Sequence, residues 1–259
     1  MNGDIGVVGL ALSAILVALA VVISRVRHLG LEASIVWACV RALVQLLLVG
    51  MALDLVIDPK RPLVWSWAWI VAMILFAAET TRRRAREVPG AWALSLTAYT
   101  SAAVIALAVL FGTGIFPTNG RTLVPLAGMV VGNSLSATVL VGRRIVAEFA
   151  EKRLEIEARL ALGLSPALAA RPYVRAATRT ALVPQIETTK ATGIVFLPGA
   201  MVGLILAGVE PVDAVKVQAA VMFLILGSVA TTTSVIGVGL SRRLFTPDGR
   251  VVRLSRADR

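Results

Sequence analysis

The chain has 259 residues, of which 58% are hydrophobic and 16% are charged, and its mean hydropathy is +0.84. This composition excludes an ordinary soluble domain and favours a polytopic membrane protein. The formal net charge is +11, but the basic residues lie between apolar runs, where membrane topology accounts for them, so we predict no nucleic-acid partner. A single cysteine, Cys39, and a single histidine exclude an intramolecular disulfide and a His/Cys zinc cluster within one chain.

Seven apolar segments have about the length that crosses the hydrocarbon of a bilayer, which takes about 20 residues as a helix. They are residues 5–23, 33–53, 64–78, 91–111, 123–142, 189–208 and 217–240. We therefore predict an all-α, polytopic membrane protein with about seven transmembrane helices, forming one transmembrane domain over 1–259.

The distribution of basic residues predicts the orientation of these helices. With the N-terminus outside, the inner segments hold 21 of the 26 lysines and arginines. The outer segments hold four, namely Lys60, Arg61, Arg121 and Lys216. Because cytoplasmic loops are enriched in lysine and arginine, we predict an outside N-terminus, a cytoplasmic C-terminus and a location in the cell (inner or plasma) membrane.

Two cytoplasmic parts follow from this orientation, a loop over 143–188 and a basic tail over 242–259. The first part of the loop is rich in helix formers, so we expect it to continue the fifth span as a helix that stops at Gly163. Ser165 and Pro166 then predict the start of a second helix, which should end near Pro172. A third helix is expected over 173–182.

Motifs for an enzyme are absent from the sequence. There is no G-x-x-x-x-G-K-[ST] phosphate loop, no H-E-x-x-H zinc motif and no G-x-S-x-G nucleophile motif. We therefore predict no catalytic residue, no cofactor bound by this chain, and no enzymatic activity of the chain by itself. If the protein moves a substrate uphill, the energy must come from an ion gradient or from a separate ATPase.

Polar and methionine side chains within or beside the spans are the candidates for a substrate path. Arg41 and Gln45 share one face of the second span, and a charge at that depth indicates either function or a structural pairing. The other candidates are Asn133, Glu187, Met201, Gln218 and Met222. The pairs Gly128/Gly132 and Gly199/Gly203 have the G-x-x-x-G spacing that most often marks close helix packing.

Pro198 and Gly199 interrupt the sixth span. Proline removes a helical hydrogen bond and glycine adds backbone freedom, so we predict a hinge at this pair, with a static kink as the alternative. Glu187 and Lys190 are expected to form an i,i+3 pair at the foot of the same span.

Four motifs of this chain resemble the signatures of the Fet-type ABC transporter permeases, which are bacterial iron-export permeases related to plant aluminium-tolerance permeases. The motifs are GMVVGNS at 128–134, EARLALGLSPALA at 157–169, ALVPQIETTKATGIVFLPGAMVGLILAGVEP at 181–211 and AVKVQAAVMF at 214–223. The chain departs from the family pattern at Ala200, where a methionine is usual, and at Val217, where a tyrosine is usual.

The resemblance implies that the chain is a permease subunit of an ABC transporter. It implies export of a metal cation such as iron, a separately encoded ATPase subunit that holds ATP and Mg²⁺, and an assembly of two permeases with two ATPases. The loop residues Gly163, Ser165, Pro166, Arg171 and Arg175 are then expected to couple to the ATPase. A gradient-driven secondary transporter or channel, and an ABC permease for an organic substrate such as a nucleotide sugar, are the alternatives. The metal ligands stay unassigned.

Overall fold

The structure, a computed structural model, describes residues 7–56 and 62–252, and the predicted all-α class is confirmed over these ranges. Nine helices are present there: α1 (Val7–Val26), α2 (Glu32–Val56), α3 (Val64–Arg84), α4 (Ala91–Gly112), α5 (Gly120–Glu151), α6 (Arg153–Ala161), α7 (Pro166–Ala191), α8 (Gly199–Leu206) and α9 (Pro211–Arg243).

Five segments of the described residues are long and apolar enough to cross a membrane. They are Glu32–Leu53, Val64–Arg84, Ala91–Gly112, Gly120–Glu151 and Pro211–Arg243. Helix α1 contains a shorter apolar stretch, Leu12–Val26. The start of the first predicted span, the outer-loop residues Lys60 and Arg61, and residues 253–259 of the predicted tail lie outside the described residues. The total of seven spans and the orientation stay predictions.

The sixth predicted span, 189–208, is wrong as a continuous helix. Helix α7 ends at Ala191, and α8 begins only at Gly199. Between them Gly193 has a φ of +88°, a left-handed conformation that glycine adopts without steric cost and that commonly ends helices. Its N–H donates to the carbonyl of Phe196 at 2.9 Å, which closes a turn five residues before the interruption predicted at Pro198.

The predicted helices of the loop are partly confirmed. The fifth span continues into the loop as a helix, but the single helix expected up to Gly163 is wrong, because α5 ends at Glu151 and α6 begins at Arg153 after Lys152. The expected boundary near Pro172 is wrong, because α7 is one helix that passes through Pro172 and Pro184. Each proline leaves one helical carbonyl without its donor.

The chain divides into two compact units, and the first, residues 1–58, contains the helical hairpin of α1 and α2. Ser24 holds the connection between the helices together. Its hydroxyl donates to a carboxylate oxygen of Glu32 at 2.9 Å and accepts from the N–H of Leu31 at 3.2 Å. Gly30, with a φ of +67°, allows the chain to turn.

The second unit, residues 59–259, packs α3, α4, α5 and α9 together, with α7 against α5 and α9 and the short α8 against α9. We call the end at which α3 and α9 finish the basic end, because the last turns there carry Arg82, Arg83, Arg84, Arg242 and Arg243. Two apolar clusters fill the unit. The far core includes Ile70, Leu107, Leu123, Val130 and Leu224.

The basic-end core joins the spans to the loop that carries α6 and α7. Its members include Val88, Leu94, Ile145, Phe149, Ile156, Ala170, Ala177, Leu240 and Phe245. This core therefore anchors the predicted coupling loop directly on the ends of α4, α5 and α9. A buried hydroxyl pair, Thr81 and Tyr99, also joins α3 to α4 with an oxygen–oxygen distance of 2.7 Å.

Candidate functional site

The loop between α6 and α7 has a backbone geometry fixed by one glycine. Gly163 has a φ of +86°, and its N–H donates to the carbonyl of Leu160 at 2.9 Å. The N–H of Leu164 donates to the carbonyl of Arg159 at 3.2 Å, which completes a Schellman motif. The predicted stop at Gly163 is therefore confirmed. Leu162, at the tip of this loop, is 83% exposed.

The start of α7 is also where the sequence predicted it. Ser165 is the N-cap residue, although its side chain makes no capping hydrogen bond, and Pro166 is in the first turn. Ala169 and Ala170 are fully buried in the basic-end core, so the loop is held firmly on the second unit. Arg171 and Arg175 point outward and are exposed, which suits contact with a partner.

A turn after α9 supports the same loop from the side, and we call residues 245–251 the C-terminal turn. Phe245 packs edge-on against Phe149, with ring centroids 5.7 Å apart. Gly249 lies so close to Pro166 that a Cβ on it would be 3.7 Å from the proline Cγ. With Arg153, Glu157 and other residues, the turn lines a cavity of about 720 Å³ beside the start of α7.

Polar side chains also connect α6 to α7 beside the loop that joins these two helices. The Glu155 carboxylate accepts from the Lys152 ammonium at 2.9 Å and from the Tyr173 hydroxyl at 3.0 Å. These two donors hold the pKa of the Glu155 carboxyl below its ordinary value. Burial, followed by the nearby Glu155 carboxylate, raises the pKa of the Tyr173 phenol. The Arg159 guanidinium lies 5.8 Å from the centre of the Tyr173 ring, within cation–π distance.

A groove between α7 and α9 collects two of the predicted site residues, Arg175 and Glu187. Its volume is about 630 Å³, and it is lined on the α7 side from Val174 to Lys190. Those 17 residues of helix span about 24 Å. Gly237 of α9 forms part of its wall, where a Cβ would be 3.1 Å from Val174 Cγ1. The predicted pair of Glu187 and Lys190 is present, at 2.9 Å.

The predicted hinge residues lie at the start of α8 and not inside a helix. Pro198 is the N-cap residue of α8, and Gly199 is its first residue. Apolar side chains of the preceding turn are open to the surroundings, with Ile194 91% exposed and Val195 78% exposed. The chain is therefore already interrupted over 192–198, and a hinge there needs no bending of a helix. The role of Pro198 and Gly199 as a hinge stays a prediction.

The remaining path candidates in the second unit differ in their surroundings. Asn133 is exposed on α5 and donates to the carbonyl of Met129 of its own helix at 2.8 Å. Gln218 of α9 is only 6% exposed, and its Oε1 has no hydrogen-bond partner among the described residues. Met201 of α8 and Met222 of α9 are half-buried. None of these four lines the groove between α7 and α9.

Arg41 and Gln45 belong to the first unit, where both are exposed on α2 and lie one turn apart. Arg41 forms no ion pair with a described residue. Over the same residues, no group of three or more His, Cys, Asp or Glu side chains is placed to hold a metal ion. The described part of the chain thus brings no such cluster of these four residue types together.

Sequence reasoning missed several residues that shape the site. Gly193 lies two residues after Ala191, the last residue of α7. A glycine at such a position commonly marks the end of a helix, so the sequence contained a signal for this end. The close-packing glycines are Gly142, Gly237 and Gly239, whereas a Cβ at Gly132, Gly199 or Gly203 would meet nothing within 4 Å. No sequence signal indicated the contact of Tyr173 with Glu155, because the two residues come from different helices.

Comparison with protein families gives one match, which covers residues 7–245 and is described as an uncharacterised protein family, UPF0014. Among curated proteins, the probable iron export permease protein FetB of Escherichia coli strain K12 is 35% identical over 244 residues, which are 91% of this chain and 90% of FetB. No solved structure matches the chain.

Two plant proteins are similar over most of their length. The UPF0014 membrane protein STAR2 of Oryza sativa subsp. japonica is 34% identical over 86% of this chain and 78% of its own length. The protein ALUMINUM SENSITIVE 3 of Arabidopsis thaliana is 32% identical over 89% of this chain and 84% of its own length. Together with the apolar helices, these similarities identify a multi-pass membrane protein.

Proposed function

Because the chain belongs to the UPF0014 family, we propose that it is the permease subunit of an ABC exporter, driven by a separate ATPase and carrying a metal cation such as iron. The observation that carries the proposal is the 35% identity to a protein named as a probable iron export permease, over about nine-tenths of both chains. The assembly proposed is two permeases with two ATPases, at the cell membrane.

The loop of Gly163, Ser165 and Pro166 supports a contact with an ATPase. It is fixed in shape by a Schellman motif, anchored on the basic-end core through Ala169 and Ala170, and exposes Leu162 at its tip. A rigid, exposed apolar side chain between basic residues is suited to enter a groove of a partner. Arg171 and Arg175 add electrostatic steering toward an acidic partner.

The α7–α9 groove supports a transport path that runs beside the same loop. Helix α7 begins at Pro166 and lines the groove from Val174 to Lys190, so one rigid helix joins the loop to the groove. A movement of the loop is then transmitted along α7. In the proposed dimer the open side of this groove faces the second permease, where Glu187 lines the path.

The test uses matched glycine substitutions in the full chain, purified with its co-expressed ATPase. Gly163 and Gly208 have φ values of +86° and +89°, and a Cβ at either meets nothing within 4 Å. Alanine therefore introduces similar backbone strain at both, about 1–2 kcal/mol. We expect Gly163→Ala to reduce substrate-stimulated ATP hydrolysis about tenfold and Gly208→Ala to preserve it.

Three results would contradict the proposal or a part of it. Equal ATPase coupling in the Gly163→Ala and Gly208→Ala variants would remove the loop from the contact. Absence of any co-purifying ATPase, with transport that persists after ATP depletion, would identify a gradient-driven transporter. The cargo class is identified by measuring which of Fe²⁺, Mn²⁺, Zn²⁺ and a nucleotide sugar stimulates ATP hydrolysis. Stimulation by the nucleotide sugar alone would refute the proposal that the cargo is a metal cation.

A further inference from the structure

A cavity at the basic end, between the last turn of α3 and the first turn of α4, carries arginine side chains that the proposed transport function does not use. Its volume is about 570 Å³, within the range of small-molecule sites, which is about 300–1,000 Å³. Its lining comprises Arg82, Arg83, Ala85, Arg86, Val88, Gly90, Ala91 and Trp92. We call it the α3–α4 cavity.

The charge of the α3–α4 cavity is strongly positive. Three guanidinium groups line it and no carboxylate does. Arg82 and Arg83 both donate to the carboxylate of Glu79, at 2.7 Å, so one negative charge is shared between two positive ones. Arg86 forms no ion pair with a described residue. The neighbouring Glu87 is neutralised by Arg143, at 2.6 Å.

A fourth guanidinium, that of Arg243 at the end of α9, lies beside the lining residue Gly90. Gly90 has a φ of +66°, and the Arg243 guanidinium occupies the space where a side chain at this position would begin. The glycine thus serves two purposes, since it allows the left-handed turn before α4 and leaves room for the arginine. Topology accounts for basic residues at this end of the protein, but it does not account for their grouping around one cavity.

The apolar lining determines what kind of anion fits. Trp92 is 40% exposed in the first turn of an apolar span, a position typical of tryptophan at the level of lipid headgroups. On α3, Phe76 lies two turns before Arg83 and is 60% exposed. A lipid phosphate held by the arginines would have apolar side chains beside its acyl chains, whereas a free phosphate ion would leave them unused.

We propose that the α3–α4 cavity binds the phosphate of an anionic phospholipid, with Arg83, Arg86 and Arg82 as its donors and Trp92 at the glycerol level. Arginine forms paired hydrogen bonds to phosphate oxygens, and basic pockets between membrane helices recognise anionic headgroups in this way. This lipid is a structural ligand at the basic end and is separate from the transported cargo.

The experiment measures lipid binding by the purified full chain with native mass spectrometry, using phosphatidylglycerol and phosphatidylcholine as probes. Each arginine near the surface of an anionic membrane contributes about fivefold in binding. We expect preferential retention of phosphatidylglycerol by the natural chain. We expect a loss of about 25-fold in Arg83→Gln/Arg86→Gln, and a loss of about fivefold in Arg86→Gln, which breaks no ion pair among the described residues.

The matched control is Arg144→Gln/Arg153→Gln, which removes two positive charges that line no part of the cavity. This control should retain phosphatidylglycerol like the natural chain. Equal losses of phosphatidylglycerol binding in the control and in the cavity variant would show that only the net charge of the protein matters, and would overturn the proposal. Unchanged lipid binding in Arg86→Gln and in the double variant would also overturn it.

Two further arms separate a lipid from other anions. Inorganic phosphate at millimolar concentration should not displace phosphatidylglycerol, and full displacement would assign the cavity to a soluble phosphate compound. If Arg83→Gln/Arg86→Gln kept its lipid but lost a co-purifying ATPase, the cavity would be a protein contact and the proposal would be refuted.

Discussion

Gln218 is one of two buried polar residues with a side-chain oxygen that has no hydrogen-bond partner among the described residues, and the other is Ser134. The Oε1 of Gln218 has no such partner, although the side chain is 6% exposed and lies one turn before Val221 of the far core. A buried acceptor without a donor costs about 1–3 kcal/mol. Such a cost is retained where the group has another use, and in the proposed exporter the amide oxygen is suited to bind the cation.

Replacement of Gln218 separates a structural role from a functional one. We expect Gln218→Met to leave the free energy of unfolding unchanged or to raise it by about 1 kcal/mol, because the unsatisfied acceptor is removed. We expect transport per folded protein to fall. Thermal unfolding in detergent and vesicle transport measure the two effects, with Gln185→Met of α7 as the control. Reduced stability with full transport would show that Gln218 serves only the fold.

Glycines give a second prediction at the scale of single residues. A Cβ at Gly237 would be 3.1 Å from Val174 Cγ1 and 3.3 Å from Thr178 Oγ1, so alanine pushes α7 away from α9. We expect Gly237→Ala to lower stability by about 1–3 kcal/mol, as overpacking does. Gly132→Ala adds a Cβ to open space and should be neutral or stabilising by about 0.5–1 kcal/mol. Equal stability of the two variants in a thermal unfolding assay would contradict this assignment.

Glycine spacing was a misleading guide to packing within this chain. The sequence motif predicted contacts at Gly128, Gly132, Gly199 and Gly203, and only Gly128 has a neighbour within 4 Å, the sulfur of Met73. The helix-interior glycines that approach another element closely, Gly142, Gly237 and Gly239, have no such spacing. Their importance depends on which helix lies opposite, and a single sequence does not specify that.

At the scale of elements, α7 shows where local rules are overridden. A break was predicted near Pro172, yet the helix continues from Pro166 to Ala191. A stripe of small residues explains the continuity, because Ala169, Ala177 and Ala181 are buried against α5 and α9. The start of the helix was predictable from Ser165 and Pro166, which are local signals, whereas the packing that bridges Pro172 is not local.

The contact between α6 and α7 should depend on pH. The pKa of Glu155 is lowered in the folded protein, so this carboxylate stabilises the contact at neutral pH, and the contribution is lost as pH falls through the lowered pKa. We expect amide exchange in α6 to accelerate as pH falls below about 4, after correction for the intrinsic rate. Tyr173→Phe removes one donor to Glu155 and should give faster exchange at neutral pH with a smaller acid effect.

Glu157→Gln is the matched control for this prediction, because Glu157 pairs with Arg153 of the same helix and does not bridge to α7. It should leave the exchange of α6 close to that of the natural chain at both pH values. If the tyrosine variant and the control behave alike, the hydrogen bond from Tyr173 does not hold α6 to α7.

At the scale of the whole molecule, composition and loop charge were sufficient to predict an all-helical membrane protein, and the resemblance predicted its family. The interruption after α7 was not predicted, since an apolar run with Pro198 and Gly199 resembles a kinked span. The structure places the break five residues earlier, at Gly193, with the predicted coupling loop at the other end of the same helix. Helix α7 therefore extends about 39 Å between the two.

This arrangement predicts that α7 acts as a rigid lever and that the turn around Gly193 is the point that flexes. Buried alanines hold α7 on α5 and α9 as far as Ala181, and the remainder of the helix has no buried residue. We expect Gly193→Ala, which strains a φ of +88°, to lower transport about tenfold, equivalent to about 1.4 kcal/mol on the limiting step. Vesicle transport per assembled complex is the measurement.

Two other variants serve as comparisons for Gly193→Ala. Gly114→Ala imposes similar strain at a φ of +73° at the end of α4, with nothing within 4 Å of the added Cβ, and should leave transport unchanged. Pro198→Ala/Gly199→Ala alters the start of α8 while Gly193 keeps its conformation, so transport should be largely preserved. A tenfold loss of transport in this double variant, with full transport by Gly193→Ala, would contradict the prediction. The flexing point would then be Pro198 and Gly199 at the start of α8, and not the turn at the end of α7.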